Sequence, residues 1–135
     1  LDSEFWRRYG ATQAEYAPHN VLPFLETVVL GYDEATHKPI ACGCFKRFDT
    51  TSAEIKRMFV LEEFRGRGYS RLVLSELERW ALALGYSSTV LETATGQPEA
   101  IGLYTSCGYQ RIPNYGPYTD KPLSLCFSKK LSRDA

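Results

Sequence analysis

The chain has 135 residues, and the 44% that are hydrophobic suffice for one domain with a packed core. Its 16 lysines and arginines balance 16 aspartates and glutamates, so the overall charge gives no reason to expect nucleic acid or an anionic membrane as partner. No apolar run approaches the ~18 residues that cross a bilayer, and the first eight residues contain no apolar signal core. We therefore expect one domain over residues 1–135 in the cytoplasm, and a homodimer stays an open alternative.

Cysteine and histidine spacing predicts no metal site. The four cysteines form no C-x-x-C pair, and His19 and His37 lie far from any metal-ligand spacing. Cys42 and Cys44 alternate within an apolar run, which on a strand places both on one face as buried thiols. Such thiols are typical of a reducing compartment.

In chain order, hydrophobic periodicity and turn residues predict a mixed set of helices and strands. Residues 3–16 suggest an amphipathic helix capped by Ser3. A second, longer helix follows the segment at 65–70 and ends at Gly85, and a short third one occupies 97–106. The predicted strands cover residues 25–32, 39–48, 53–60, 87–93, 109–112 and 123–129. The strands at 53–60 and 87–93 should be parallel, because a helix crosses between them.

The strand at 53–60 has charges on both faces, since Glu54 and Lys56 point to one face and Arg57 points to the other. A strand inside such a sheet is normally covered on both sides and apolar throughout. Either this strand lies at an edge of the sheet, or its first half lines a site. We favour the site because of the segment that follows.

That segment, Arg65-Gly66-Arg67-Gly68-Tyr69-Ser70, leads directly into the second helix. A glycine-rich turn at a helix N-terminus presents unpaired N–H groups and the positive end of the helix dipole to an anion. Neither the dinucleotide fingerprint G-x-G-x-x-G nor a Walker A loop is present. The pattern therefore predicts a pyrophosphate cradle of another kind.

Two motifs resemble those of the GNAT N-acetyltransferase superfamily. The cofactor signature R/Q-x-x-G-x-G/A appears as Arg65-x-x-Gly68-x-Ser70, with Ser70 as the one departure. The second, N-x-x-A-x-x-L/F-Y-x-x-x-G-F/Y, covers residues 97–109, with Gln97 in place of Asn. The resemblance extends over about residues 25–131, and we expect part of the family's N-terminal strand and helices to be missing before it.

The resemblance implies a mixed α/β fold, mostly antiparallel, with a parallel central strand pair flanked by helices. It implies direct transfer of an acetyl group from acetyl-CoA to a primary amine of a small molecule or peptide, without a metal. Backbone N–H groups near Met58, Phe59 and Val60 would hold the thioester oxygen and the pantetheine arm. The residues expected to bind the cofactor are Met58, Phe59, Val60, Arg65, Gly66, Arg67, Gly68, Tyr69, Ser70, Arg71, Gln97 and Ala100.

Three side chains are candidates for proton transfer. Glu54 precedes Met58 with the spacing at which histone-type members of the superfamily carry a glutamate base, but a cross-strand ion pair is an equal alternative. Glu92 is the second candidate base, and an ion pair with Arg57 would equally explain it. By resemblance Tyr104 is the general acid for the CoA thiolate, and the alternative is a packed aromatic side chain.

Two other functions remain open. The chain could be a catalytically idle acyl-CoA-binding or regulatory module, or it could bind another phosphate ligand. The aromatic loop at residues 113–118, together with Glu54 and Glu92, suggests a small cationic amine or an amino-acid-like acceptor.

Overall fold

The computed structural model describes residues 4–9 and 27–132. Two 3-10 turns, at Glu62–Phe64 and Gly116–Tyr118, accompany the regular elements. In chain order these elements are β1 (Glu4–Tyr9), β2 (Thr27–Asp33), β3 (Pro39–Arg47), β4 (Ser52–Val60), α1 (Tyr69–Ala83), β5 (Ser88–Ala94), α2 (Pro98–Ser106), β6 (Gln110–Ile112) and β7 (Ser124–Lys130).

The strands of the described residues form one mixed sheet in the order β1-β2-β3-β4-β5-β7-β6. β4 and β5 are parallel and pair from Ser52↔Ser88 to Glu54↔Val90. β1 with β2, β2 with β3, β5 with β7 and β6 with β7 are antiparallel. The mixed fold class with a parallel central pair is thus confirmed, and the alternative that β4 is an edge strand is wrong.

The helix predicted over residues 3–16 is wrong where the structure describes it. Residues Glu4–Tyr9 form β1, which pairs with β2 from Glu4↔Asp33 to Tyr9↔Val28. Pairing with an existing strand overrides a short helical spacing, because sheet formation depends on neighbours more than on local propensity. Ser3 and the remainder of the predicted helix lie outside the described residues.

Two compact units divide the chain. The first falls within Leu1–Lys46 and Ile55–Leu77, and the second within Arg47–Glu54 and Glu78–Ala135. Buried side chains of the first unit include Val29, Ile40, Phe45, Val73, Leu74 and Leu77. Buried side chains of the second unit include Trp80, Leu91, Tyr104, Tyr109 and Phe127.

Gly43 on β3 is required by packing within the first unit. A Cβ at this position would lie 2.7 Å from Met58 Sδ, 2.7 Å from Val73 Cγ1 and 2.8 Å from Leu77 Cδ1. These distances are far below the 3.5–4.0 Å of normal carbon contacts, so side chains of α1 and β4 would have to shift. The close approach of α1 to β3 therefore depends on glycine at position 43, which has no side chain.

We predict that Gly43→Ala lowers the free energy of unfolding by about 1–2 kcal/mol, because overpacking outweighs the gain of replacing glycine in a strand. Gly102→Ala is the matched control. Gly102 lies in α2 with nothing within 4 Å of an added Cβ, so alanine should stabilise the protein by about 0.5–1 kcal/mol. Urea denaturation measures both, and an equal effect of the two substitutions would contradict the packing argument.

Candidate active site

The loop between β4 and α1 in the first unit has the backbone geometry of an anion site. Gly66 and Gly68 adopt φ angles of 77° and 87°, a left-handed conformation that side chains other than glycine rarely accept. An added Cβ at either glycine would have nothing within 4 Å, so both flank open space. α1 begins directly afterwards at Tyr69, and its first turn carries no acidic residue. Its first N–H groups, which no helix can pair internally, are therefore not opposed by a carboxylate.

Three arginines surround this loop, and one of them is fixed to β4. Arg65, Arg67 and Arg71 are all exposed. Arg65 Nε donates a hydrogen bond of 2.8 Å to the Val60 carbonyl, and its guanidinium lies 5.3 Å from the centre of the Phe59 ring. Since Nε is only one of five donors, the same guanidinium can still contact an anion. Arg65 thus joins the loop to the end of β4 in addition to contributing charge.

Tyr69 and Ser70 occupy the first turn of α1. Tyr69 is buried, and its ring centre lies 6.0 Å from that of Phe64 in the preceding 3-10 turn. Ser70 is half-buried. The packed tyrosine fixes where the helix begins, so the predicted cradle of residues 65–71 is a defined loop and helix start.

β4 changes its backbone conformation at Arg57, one of the charged residues of this strand. Arg57 has a φ of 58°, in the left-handed region that a non-glycine residue enters only at a cost of roughly 1 kcal/mol or more. Beyond it Met58 is half-buried, Phe59 is 51% exposed and Val60 is buried. Such strain in a strand is often found at functional sites, because it redirects backbone groups away from the regular ladder.

In the second unit, the carboxyl group of Glu54 is buried. Glu54 is 5% exposed, and its Oε2 accepts a hydrogen bond of 2.9 Å from the Tyr115 hydroxyl. The Tyr115 ring meets Phe48 edge to face with 4.7 Å between centres. Burial, and then the hydrogen bond and the charge of Glu54, raise the pKa of Tyr115. Tyr115 consequently keeps its proton and acts as a donor.

Glu54 and Glu92 are the two candidate bases, and the charges of both raise the pKa of the same buried thiol, that of Cys126. Glu92 is half-buried on β5 and lies opposite Cys126 of β7. Burial raises the pKa of Cys126, a backbone hydrogen bond with Tyr115 opposes this, and the charges of Glu92 and Glu54 add to the increase. The structure therefore brings both carboxylates to one region of the second unit.

Tyr104 is a buried tyrosine on α2. It is 7% exposed, and its ring centre lies 5.8 Å from that of Tyr109 and 6.4 Å from that of Phe127. Burial, with a smaller contribution from Cys107, raises the pKa of Tyr104 to about 12. The packing of the Tyr104 ring fits a purely structural role. Its protonated hydroxyl also fits the role of a general acid, so these observations are compatible with both.

A polar chain fixes Tyr109, the neighbour of Tyr104. The Tyr109 hydroxyl donates to Glu78 Oε2 at 2.8 Å and lies 2.7 Å from Thr89 Oγ1. Lys129 Nζ forms an ion pair of 2.9 Å with Glu78 Oε1. This network holds the residues after α2 against β5 and β7, and periodicity alone could not have predicted it.

Gln97 and Ala100 lie at the beginning of α2. Gln97 is the exposed N-cap residue and makes no side-chain cap hydrogen bond, and Pro98 starts the helix. Ala100 is half-buried in its first turn. Both positions are in the second unit, so the structure places the sequence-predicted residues in two sets.

Tyr115 and Cys126 are the residues of this region that the sequence interpretation missed as site residues. The aromatic loop was a signal for Tyr115, but its hydrogen bond joins residues 61 positions apart. Cys126 gave no signal beyond an apolar strand.

The described part of the chain contains no group of three or more His, Cys, Asp or Glu side chains suited to a metal ion. No helix among residues 4–9 and 27–132 is both long and apolar enough to cross a membrane.

Known proteins resemble this chain in sequence and in fold. The family model described as "Acetyltransferase (GNAT) family" matches residues 1–109. An IAA acetyltransferase of Azospirillum brasilense is 38% identical over 94 residues, which are 68% of this chain and 61% of that protein. The match thus spans about three fifths of this curated relative.

Solved structures share the fold. A Klebsiella pneumoniae protein named as an acyl-CoA N-acyltransferase has a TM-score of 0.81 at 23% identity, over 98% of this chain and 100% of that one. A GNAT family acetyltransferase from Elizabethkingia anophelis, with acetyl-CoA bound, has a TM-score of 0.76 at 15% identity, over 97% of this chain and 100% of that one.

Proposed function

Because this chain belongs to the acetyltransferase (GNAT) family, we propose that it transfers the acetyl group of acetyl-CoA directly to a primary amine. The observation that carries the proposal is the loop at Arg65–Arg71, where two left-handed glycines precede the N-terminus of α1. A loop of this kind suits a pyrophosphate, whose charge the N–H groups and arginines would stabilise.

Acetyl-CoA would be held mainly by backbone groups of the first unit. We assign its pyrophosphate to the N–H groups of residues 66–70, with Arg67 and Arg71 adding charge and Arg65 also holding the loop to β4. The backbone beyond Arg57, at Met58–Val60, would bind the pantetheine arm and the thioester oxygen. The left-handed conformation of Arg57 supports this role, because it changes the direction of the backbone just before these residues. Gln97 and Ala100 at the start of α2 are assigned to the cofactor by the family motif.

We predict that acetyl-CoA raises the melting temperature of the wild-type protein and that Gly68→Glu abolishes this shift. A carboxylate would occupy the place of the pyrophosphate among the N–H donors and repel its charge. Thermal melts with and without acetyl-CoA measure the shift. Gly68→Ala is the matched control, because it introduces the same left-handed strain without the charge and should keep part of the shift. An undiminished shift in Gly68→Glu would locate the pyrophosphate elsewhere.

The amine must lose a proton before or during attack. A lysine-type amine has a pKa of about 10.4, so at neutral pH nearly all of it is charged and a base must accept the proton. Glu54 is our first candidate, since its carboxylate is held by a hydrogen bond from Tyr115. Glu92 is the alternative, and its half-buried position in β5 gives it more access to solvent.

If Glu54 is the base, Glu54→Gln should lower kcat/KM by ~10²-fold and leave acetyl-CoA binding intact, because positioned bases contribute about this much. Steady-state rates of CoA release, compared with acetyl-CoA binding, measure the effect. Glu92→Gln is the matched comparison and should change the rate by less than twofold to threefold on this view. If Glu54→Gln left kcat/KM unchanged while Glu92→Gln lowered it, Glu92 would be the base and Glu54 would not.

The CoA thiolate must be protonated as it leaves. The family motif assigns Tyr104 as the acid, and its hydroxyl, with a pKa of about 12, carries a proton at neutral pH. Phenylalanine at this position would keep the ring contacts with Tyr109 and Phe127 and remove only the hydroxyl.

Tyr104→Phe should therefore lower kcat by ~10-fold or more while acetyl-CoA affinity changes little. An acetyl donor whose leaving thiol has a lower pKa needs less protonation, so it should recover part of the lost rate. Paired kcat measurements with both donors, on wild type and variant, test this. Tyr86→Phe, at a partly buried tyrosine outside the site, should leave both rates unchanged. Equal ratios for the two donors would return Tyr104 to a purely structural role.

The acceptor is proposed to be a small amine that binds as a cation. Carboxylates at Glu54 and Glu92 favour a positive charge, and the rings of Phe48, Tyr115 and Tyr118 can bind a cation on their faces. A peptide amine is the other acceptor class that the family includes.

A further inference from the structure

The loop between β6 and β7, residues 113–123, is held in shape by one amide. Asn114 Nδ2 donates towards three carbonyl oxygens, those of Tyr118 at 3.2 Å, Lys121 at 3.1 Å and Ser124 at 3.0 Å. Thr119 Oγ1 adds a hydrogen bond of 2.8 Å to the Gly116 carbonyl. Side-chain bonds of this kind replace the regular ladder and give a loop a single conformation.

This loop carries Tyr115 to Glu54. The Tyr115 ring lies between two aromatic neighbours, Phe48 at 4.7 Å and Tyr118 at 5.7 Å, both edge to face. These ring contacts fix Tyr115 independently of its hydroxyl, which reaches Glu54 Oε2 at 2.9 Å.

We propose that Tyr115 is a positioning residue for Glu54: its hydroxyl holds the carboxylate in the orientation in which the other oxygen accepts the amine proton. This role rests on the proposed function, because it requires Glu54 to be the base. All the residues involved lie in the second unit.

The physical reason is the rotational freedom of a glutamate side chain. The last torsion of glutamate is broad, so an unrestrained carboxylate samples many orientations. A charge-assisted hydrogen bond from a fixed donor restricts it to one. General-base catalysis depends on that geometry, because the proton must be transferred over a hydrogen-bond distance. The bond is also compatible with turnover, since Tyr115 keeps its proton and donates throughout.

A purely structural tyrosine would behave differently. Loss of its hydroxyl would lower stability, but the rate per folded molecule would not change. A positioning tyrosine changes kcat, and it does so only while Glu54 is present.

The test compares Tyr115→Phe, Tyr86→Phe and Glu54→Gln, together with the double variant Tyr115→Phe/Glu54→Gln. Rates of CoA release from acetyl-CoA, with the best acceptor of an amine panel, are expressed per mole of acetyl-CoA bound, so that unfolded protein does not count. Tyr115→Phe should lower kcat by about 5–20-fold with an unchanged KM for acetyl-CoA. Tyr86→Phe removes the hydroxyl of a partly buried tyrosine outside the site and should keep kcat within about twofold of wild type. The double variant should be no slower than Glu54→Gln alone.

Asn114→Ala gives an independent measurement if Tyr115→Phe folds poorly. It leaves the Tyr115 hydroxyl in place but loosens the loop, so it should also lower kcat without changing the KM for acetyl-CoA. An unchanged kcat in Tyr115→Phe beside a slow Glu54→Gln would overturn the positioning role alone, as would additive losses in the double variant. An unchanged rate in Glu54→Gln would overturn the base assignment and this role with it.

Discussion

Burial of the Glu54 carboxyl group is the constraint on which the second unit depends. A carboxylate removed from water costs several kcal/mol unless hydrogen bonds replace its hydration. Tyr115 supplies one such bond, and the loop that carries Tyr115 is in turn fixed by Asn114. The parallel pairing of β4 with β5 places Glu54 beside Val90. Glu54 is therefore both a buried residue of the parallel strand pair and the first candidate for the base.

The first unit contributes through its backbone more than through its side chains. Arg57, Gly66 and Gly68 all have left-handed backbone conformations within twelve residues of one another, a segment that leads to the N-terminus of α1. Such conformations turn N–H groups away from their usual partners, which suits a phosphate or a thioester oxygen. Arg65 joins the two features, because its side chain bonds to the Val60 carbonyl while its backbone lies in the loop.

Local pattern predicted the elements whose signals lie close together in the sequence. The glycine loop, the parallel pair and both described helices follow from periodicity and turn residues that are adjacent in the chain. β1 was predicted as a helix, because its pairing with β2 depends on residues 19 to 29 positions away. The Tyr115–Glu54 hydrogen bond was beyond prediction for the same reason. Arg57 shows a further limit, since nothing in an arginine's type indicates a left-handed conformation within a strand.

The residues proposed to bind the cofactor and those proposed to transfer protons form two different sets, and a module that only binds acetyl-CoA would not need the second set. In the proposed function, acetyl-CoA binding would use the loop and the start of α1, but it would not need a buried carboxylate held by a tyrosine. A buried carboxylate is costly, and apolar residues can often replace buried ionic groups without loss of stability. The proposed catalysis gives the buried Glu54 a role that binding alone does not.

The most direct measurement is release of the free CoA thiol from acetyl-CoA in the presence of a panel of primary amines, with mass spectrometry of the amines afterwards. Thiol release that depends on a cationic amine, with one acetyl group gained by that amine, is the expected result. Acetyl-CoA binding without amine-dependent thiol release from any member of the panel would contradict the proposed acetyl transfer and leave the chain as a binding module.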